Sequence, residues 1–405
     1  MKTKPNTITP RDYKQKRTQR QRLLVIATSI LIIAAWVIGY FSGDSDLLES
    51  ALEVIPGAAR IEQQGGLYVG YGEPEEQIIG YASVGQAIGY GGPIKVVVGI
   101  DPQGEVLGLK VVEQRETPGF YRLIDSFKYL DQFTDKDVSS QFSLEYDIDG
   151  VSGATMSSEG IAAATYQAVR LIAEDGLQAP LPPEKKPITF GGPEIVLVAL
   201  FVTAYIANRQ KNQSLKLRLR WTTLLGGMIF LGFVYTAPFT ISQVIAFLSG
   251  YWPDWHNNLY WYLLIGGIIA ITTLEAKNPY CYWFCPFGAF QEVLAQTTKA
   301  TVCRPRQWKG YLVWLPRVLA LTAIILGLLF REPGLVGYEP FATLFDLRGT
   351  ALEWGLLLVT ILASLVIYRP FCNFICPIDP VVVFIGVVRN WIREAGIRWK
   401  RRTQN

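Results

Sequence analysis

Residues 23–42 read LLVIATSILIIAAWVIGYFS, a run of twenty residues without a charged side chain. An α-helix needs about 20 apolar residues to cross the roughly 30 Å hydrocarbon core of a bilayer. Further apolar runs lie at 189–208, 221–237, 259–274, 311–330 and 351–368. The run at 221–237 is short unless its helix continues past Pro238; residues 239–249 form either that extension or a re-entrant or interfacial helix. The sequence therefore predicts a polytopic α-helical membrane protein with about six spans.

The distribution of charge predicts how these spans are oriented. Only 18% of the 405 residues are charged, against about 25% in soluble domains. Residues 1–22 hold eight Lys/Arg and one acid, whereas residues 43–190 hold 10 Lys/Arg and 23 Asp/Glu. Because cytoplasmic loops are rich in Lys and Arg, we expect the N-terminus, 209–220, 275–310 and the tail from 369 to lie inside. The segments 43–188, 250–258 and 331–350 then lie outside.

The same counts exclude several functions. The basic residues flank apolar runs instead of forming a patch on a folded domain, so we expect no nucleic-acid partner. The chain has one histidine, His256, which excludes a bis-histidine haem or a three-histidine zinc site within it. Five cysteines allow one four-thiolate cluster but not two.

Residues 60–175 have the pattern of an α+β domain. We predict strands at 77–83, 94–100 and 106–112, where β-branched residues are frequent and turn residues intervene. Small and apolar residues at helical spacing predict a helix over 159–173. A domain of this size is large enough to bury a core.

Three segments of this domain carry chemical information. They are Gly89-Tyr90-Gly91-Gly92-Pro93, Glu116-Thr117-Pro118-Gly119, and the run from Asp149 to Ser158, which reads DGVSGATMSS. Taken alone, the first is most simply a turn, and Ser157 or Ser158 before Glu159 fits a helix N-cap. A helix N-terminus preceded by small residues also attracts anions such as phosphate.

Together these segments resemble the FMN-binding domain of the G- and C-type subunits of Rnf and Na⁺-pumping NADH:quinone reductase complexes. The resemblance covers roughly residues 63–175 and centres on the motif Asp-x-x-Ser/Thr-Gly-Ala-Thr, matched by Asp149, Ser152, Gly153, Ala154 and Thr155. It implies that Thr155 carries FMN through a phosphoester bond made by a separate flavin transferase. It also implies that the flavin site is lined by Gly91, Gly92, Glu116, Thr117, Pro118 and Gly119.

Two cysteine pairs with the same spacing follow two of the predicted spans. Cys281 and Cys285 precede Pro286, and Cys372 and Cys376 precede Pro377. Both pairs follow spans that run inward, so we expect them at the cytoplasmic surface, in two halves of a degenerate repeat. Four such thiolates suit an iron–sulfur cluster of either the two-iron or the four-iron type. Inert core cysteines and a tetrathiolate zinc site remain open as alternatives, whereas a disulfide is disfavoured on the reducing side.

The resemblance then extends to the regulator of nitrous oxide reductase and related membrane ferredoxin-type proteins. These proteins combine an outer flavin domain, several spans and Cys-x₃-Cys-Pro pairs. They usually continue into a soluble ferredoxin domain, which this sequence does not include, so we expect electrons to be exchanged with another protein inside the cell. Cys303 has no partner by spacing, and we expect it not to be a ligand.

These inferences predict a multi-pass protein of the cytoplasmic membrane with an extracytoplasmic FMN domain. We divide the chain into a basic N-terminus (1–22), a transmembrane helix (23–42), the FMN-binding domain (43–188), a five-span domain with both cysteine motifs (189–380) and a basic tail (381–405). The predicted function is electron transfer between the iron–sulfur cluster and covalent FMN, with an unknown extracytoplasmic redox partner and membrane lipid as the other partners. A redox-sensing regulator or assembly factor for an extracytoplasmic metalloenzyme is the alternative.

Overall fold

The structure is a computed structural model, and it describes residues 10–41, 47–73, 77–116, 118–144, 146–179, 188, 190–275, 278–301, 309–334 and 336–403. The described part of the chain begins with the long helix α1 (Pro10–Tyr40), whose part Gln21–Tyr40 is apolar enough to span a membrane. After it comes a separate domain with a β-sheet, and a second set of helices completes the described chain.

The domain with the β-sheet, which we call the outer domain after the orientation predicted from charge, is built on one antiparallel sheet of five strands in the order β1-β2-β3-β4-β5. Its elements are α2 (Leu47–Val54), β1 (Arg60–Gln64), β2 (Leu67–Tyr71), β3 (Ile78–Ile88), β4 (Pro93–Ile100), β5 (Val106–Gln114), α3 (Pro118–Ser126) and α4 (Thr155–Leu171). The three predicted strands correspond to β3, β4 and β5. Beyond α4, the chain continues as a turn of π-helix over Ile172–Gly176.

Helices cover both faces of this sheet, which explains why residues 96–100 of the inner strand β4 form a continuous apolar run. On one face, Val96 and Val98 pack with Ile161 of α4. On the other face, Val97 packs with Val54 and Ile55 at the end of α2. Gly85 allows α4 to approach β3 closely, because a Cβ there would lie only 1.8 Å from the carbonyl oxygen of Ala164.

The membrane domain consists of helices of unequal length. They are α5 (Gly192–Arg209), α6 (Gln213–Gly226, prolonged as π-helix to Val234), α7 (Ile241–Ser249), α8 (Leu259–Glu275), α9 (Pro279–Trp283), α10 (Pro286–Thr297), α11 (Lys309–Leu329), α12 (Phe341–Phe345), α13 (Ala351–Ser364), α14 (Pro370–Phe374) and α15 (Ile378–Thr403). Thr240 caps α7 and Thr350 caps α13, each through its hydroxyl and a Gln or Glu three residues later.

Four described helices are long and apolar enough to cross a membrane: the apolar part of α1, then α5, α6 with its extension, and α11. A fifth span exists if α8 and the segment 279–297 count as one, although they are bent by 99°. The last predicted span corresponds to α13, whose 14 residues extend only about 21 Å at 1.5 Å per residue. The structure thus has four to five membrane-type helices, and the count of six stays a prediction.

Candidate functional site

Thr155 is the first residue of α4 and its side chain is exposed. The turn before it is made by Ser152 and Gly153, with Gly153 in the left-handed region at φ 78°, which favours glycine. The chain enters the helix through Ala154, whose N–H donates to the Val151 carbonyl (2.9 Å). The hydroxyl proposed as the flavin acceptor therefore lies at a helix N-terminus, accessible to a modifying enzyme.

Glu116 joins the three predicted motifs. Its carboxyl is only 3% exposed, and its Oε1 accepts the Gly91 N–H at 3.0 Å. The hydroxyl of Ser157, in the first turn of α4, donates to Oε2. Burial raises the pKa of Glu116 to about 7, although hydrogen bonds from Ser157 and from the backbone of residues 90–92 oppose the shift. One buried carboxyl thus fixes the glycine loop and the Thr155 helix relative to each other.

The expected N-cap role of the serines is wrong. The N-cap of α4 is Ala154, which has no side-chain cap. The Ser157 hydroxyl turns inward to Glu116, and the Ser158 hydroxyl accepts the Val151 N–H at 3.1 Å. The helix starts four residues earlier than predicted, because the buried carboxyl and the preceding turn provide hydrogen-bonding partners for these two hydroxyls.

The other predicted flavin-site residues lie around this point. Asp149 is exposed, and its backbone exchanges two hydrogen bonds with the Gln132 side chain, of 2.9 and 3.2 Å. Gly92 lies next to Gly91 in the loop held by Glu116. Pro118 and Gly119 open α3, and Thr117 lies outside the described residues.

A cation from the membrane domain lies against the turn that precedes Thr155. Arg348, between α12 and α13, points its guanidinium at this turn, with Nη1 3.4 Å from the Ser152 carbonyl oxygen. A Cβ on Gly153 would lie 1.5 Å from that same Nη1. The exposed hydroxyl, the helix N-terminus and the arginine fit the phosphate end of a flavin nucleotide. No sequence motif pointed to Arg348, which is 193 residues from Thr155.

The two cysteine pairs are built in the same way. Cys281 lies in the short helix α9 and Cys372 in the short helix α14, while Cys285 and Cys376 come just before α10 and α15. The Cys285 N–H donates to the carbonyl five residues earlier, at Tyr280, and the Cys376 N–H does the same at Phe371, both at 2.9 Å. The structure therefore confirms the predicted repeat.

The four thiols lie together inside the membrane domain. Cys376 is within electrostatic range of the other three. Backbone N–H groups from the start of α10 reach Cys285 Sγ, and one from the start of α15 reaches Cys376 Sγ. N–H donors at a helix N-terminus stabilise a thiolate, so the donors suit a group that binds four thiolates.

Within the described chain, no three His, Cys, Asp or Glu side chains are arranged to hold one metal ion. A four-iron cluster makes a different demand, because each thiolate binds its own iron atom. Cys303 lies outside the described residues.

A buried ionic network lies beside these thiols. Arg220 of α6 donates to both carboxylate oxygens of Glu292 on α10, each at 2.7 Å. Arg369, just before α14, donates to Glu292 as well and also to the Cys281 carbonyl (3.1 Å). Arg220 was counted in the sequence as a cytoplasmic loop residue, yet it is 8% exposed and buried in the domain. The signal that could have revealed this network is the pair Gln291-Glu292 in an apolar helix.

One layer of residues separates the two sites. We call residues 239–241 and 338–348 the interdomain layer. On its outer side, Tyr90 of the glycine loop shares a hydrogen bond with the Thr240 side chain. On its inner side, the Tyr280 hydroxyl accepts the Phe239 N–H (2.8 Å), and the Tyr338 hydroxyl donates to the Ile375 carbonyl (2.9 Å).

This contact bears on the predicted topology. The sequence placed residues 331–350 outside and the cysteine pairs at the cytoplasmic surface. The structure instead brings Tyr338 to the residue that precedes Cys376. The two segments are therefore not separated by the thickness of a bilayer.

Comparison with known proteins identifies both regions. The family profile of the FMN-binding domain matches residues 89–170, and that of the 4Fe-4S binding domain matches 257–306 and 351–394. The chain carries both domains. It is 28% identical over 222 residues to Protein NirI of Paracoccus denitrificans, a match that covers 50% of this chain and 33% of NirI.

The regulatory protein NosR is a second relative. The Stutzerimonas stutzeri protein is 22% identical over 223 residues, covering 49% of this chain and 30% of NosR. The Pseudomonas aeruginosa protein is 23% identical over 218 residues, with the same coverage. The resemblance to the nitrous oxide reductase regulator family is thus confirmed, and the match spans about a third of the length of these relatives.

Proposed function

We propose that the chain transfers electrons between a 4Fe-4S cluster within its membrane domain and an FMN bound covalently to Thr155, and so connects the two faces of the membrane. Cys281, Cys285, Cys372 and Cys376 hold the cluster in this proposal, and the flavin domain lies outside the cytoplasmic membrane. Bound FMN exchanges one or two electrons, which lets it pair with a one-electron cluster. The observation that carries the proposal is the interdomain layer, because both sites contact it from opposite sides.

The interdomain layer is thin, which favours direct electron transfer between the cluster and the flavin. The Phe341 ring contacts the rings of Phe287 and Phe371 in tilted and edge-on orientations, with centroids 4.9 and 6.0 Å away. Phe371 is bonded to Cys372, and Arg348, seven residues after Phe341, contacts the turn before Thr155. Seven residues span at most about 25 Å when fully extended, and the helical turns of α12 shorten this distance.

The residues of the flavin site have separable roles. Arg348 and the N-terminus of α4 hold the phosphate that joins FMN to the Thr155 oxygen, while Glu116 fixes the glycine loop beside it. A covalent bond prevents loss of the flavin outside the cell, and a flavin transferase is the partner that forms it. The cytoplasmic electron donor or acceptor and the extracytoplasmic redox partner are separate proteins.

The proposed orientation of the chain in the membrane rests on the distribution of charged residues along the sequence. Residues 1–22, ahead of the apolar part of the first helix, hold eight basic residues, and residues 43–190 are strongly acidic, which agrees with cytoplasmic retention of the N-terminus. The proposed arrangement therefore has the cysteine-bearing domain in the membrane and the flavin domain on its outer side.

The test uses the full chain, co-expressed with a flavin transferase and reconstituted in lipid vesicles. A membrane-impermeant reductant is supplied on the cytoplasmic face, and the loss of flavin absorbance is recorded. We expect reduction in the wild type and in Cys303→Ser, which alters a cysteine outside both pairs, but not in Cys285→Ser. Equal flavin reduction in Cys285→Ser, or a wild type without iron and labile sulfide, would contradict the proposal.

The name of the relative NosR favours a second function, that of a redox-sensing regulator. A sensor changes the expression or maturation of its target but need not sustain a flux of electrons. Cys281→Ser would then alter the level or maturation of an extracytoplasmic metalloenzyme while the vesicle assay shows no continuous turnover in the wild type. Continuous turnover that stops in Cys281→Ser supports electron transfer instead.

A further inference from the structure

We propose that Arg369 and Gln291 are positioning residues that raise the reduction potential of the iron–sulfur cluster. The inference rests on the proposed function only in that the four cysteines bind a cluster. It does not depend on the flavin. Neither residue belongs to the cysteine motifs, and both are held in place by groups from other helices.

Gln291 is oriented toward a ligand sulfur. It is fully buried on α10, and its Oε1 accepts the Phe371 N–H at 3.0 Å. Because the oxygen end of the amide accepts that bond, the nitrogen Nε2 faces Cys372 Sγ, 3.2 Å away. An N–H donor to a cysteine sulfur stabilises negative charge on it. Gln291 therefore also ties the first cysteine half to the second.

Arg369 contributes a buried positive charge. Arg369 and Arg220 share the single carboxylate of Glu292, which leaves the network with one positive charge in excess. All three side chains are buried, and the Nε atoms of both arginines have no hydrogen-bond partner among the described residues. An uncompensated charge in such a place is costly, unless an anionic group lies beside it.

The thiolates supply that anionic group. Arg369 lies within electrostatic range of Cys372 and Cys285, and one of its N–H groups binds the Cys281 carbonyl. A cluster with four thiolate ligands carries negative charge, and more of it after reduction. The buried excess cation therefore compensates the cluster and favours its reduced form.

A second acid near the thiols, besides Glu292, is exposed. Asp379, at the start of α15, is within electrostatic range of Cys281 and Cys372 and accepts an N–H from Asn278 at 3.2 Å. Water screens an exposed carboxylate far more than it screens a buried guanidinium. The balance of charge around the thiols is therefore positive, which sets the predicted direction of the effect.

The test measures the midpoint potential of the cluster and not the rate of electron transfer. Variants are made in a Thr155→Ala background, so that no flavin signal interferes, and the midpoint potential is read by EPR during redox titration. We expect Arg369→Gln to shift the potential to more negative values and Gln291→Leu to shift it less in the same direction. Arg369→Lys, which keeps the charge, restores most of the wild-type value. Arg218→Gln is the matched control, because Arg218 is exposed on the same helix as Arg220.

Iron and labile sulfide assays separate the outcomes. A wild type without iron refutes the proposed function itself. Iron-loaded Arg369→Gln and Gln291→Leu with the potential of Arg218→Gln overturn this inference alone. If Arg369→Gln loses its iron, its potential cannot be read. The role of the amide is then tested with Gln291→Leu, because this variant removes the donor to Cys372 and leaves the ionic network intact. An unshifted potential in Gln291→Leu then refutes the role of the amide, and an unshifted potential in Arg220→Gln, which removes the same excess charge from the network, refutes the role of the buried cation.

Discussion

The two sites of this protein are built in opposite ways. The flavin site in the outer domain is made of three short segments close in sequence, and its acceptor Thr155 is exposed at the end of a helix. The cysteine site is made of two pairs about 90 residues apart, buried among aromatic side chains and backed by a shared ionic network. A local site is specified by its own residues, whereas a distributed site depends on how distant helices pack.

This difference predicts how each site responds to mutation. Changes at the flavin site should act on one cofactor and leave the rest of the chain intact. Changes at the cysteine site should act on cofactor and stability together, because ligands, charges and helix packing share the same residues.

The largest expected effect is complete loss of one cofactor with retention of the other. Thr155→Ala removes the hydroxyl that bonds the phosphate, so fluorescence of the protein band on a denaturing gel should vanish while iron and sulfide stay at the wild-type level. Thr134→Ala, at another exposed threonine of the same domain, should keep its fluorescent band. Loss of iron in Thr155→Ala would show that the two sites are not independent.

The next largest effect concerns the buried acid of the cysteine site. Glu292→Gln leaves Arg220 and Arg369 buried without a counter-ion, which costs about 3–5 kcal/mol of unfolding free energy. Denaturant unfolding of the solubilised protein, followed by tryptophan fluorescence, measures this change. Glu394→Gln breaks the exposed pair with Arg22 and should cost at most about 1 kcal/mol. Similar losses in the two variants would mean that the network is as weak as a surface pair.

The outer domain was the more predictable part from sequence. Its strands β3–β5 and the motif at Thr155 follow from local patterns, since β-branched runs, turns and a ligand-attachment motif all act over a few residues. The cysteine repeat was equally visible, because its spacing is local. Arg348, Arg369 and Tyr338 were not predictable, because each acquires its role only through contacts with segments far away in the chain. The two serines before Glu159 show the converse, since a local capping pattern was overridden by a buried carboxyl from another segment.

A third prediction concerns pH and the local site. Burial raises the pKa of Glu116 from 4.5 to about 7, so the folded domain holds a proton that the unfolded chain releases. The contribution of Glu116 to the free energy of unfolding should therefore be complete below about pH 4.5 and fall as pH rises toward 7, by about 3 kcal/mol at 1.36 kcal/mol per pH unit.

The outer domain contains no tryptophan, so pulse proteolysis of the whole protein in denaturant is the suitable measurement. Glu116→Gln should flatten this dependence, whereas Glu53→Gln, at an exposed pair with Lys110, should keep it. A slope that persists in Glu116→Gln would assign the titration to another group.

The smallest effect tests whether the two regions are truly separate. Gly153→Ala places a side chain in the left-handed region, which costs about 1–2 kcal/mol, and directs its Cβ at the Arg348 guanidinium. Arg348→Ala alone should cost less than about 1 kcal/mol, since the arginine is a third exposed and already paired with Asp346. In the double variant, the contact between domains is absent, so part of the cost of Gly153→Ala should be recovered as a coupling of about 0.5–1 kcal/mol. The same proteolysis assay, read at the outer domain, measures all three variants.

Strict additivity of the three free-energy changes would mean that Arg348 does not hold the turn before Thr155, and that the flavin site is fully local. A measurable coupling would instead show that the membrane domain contributes a residue to the flavin site, so that docking of the two domains and positioning of the phosphate are one event.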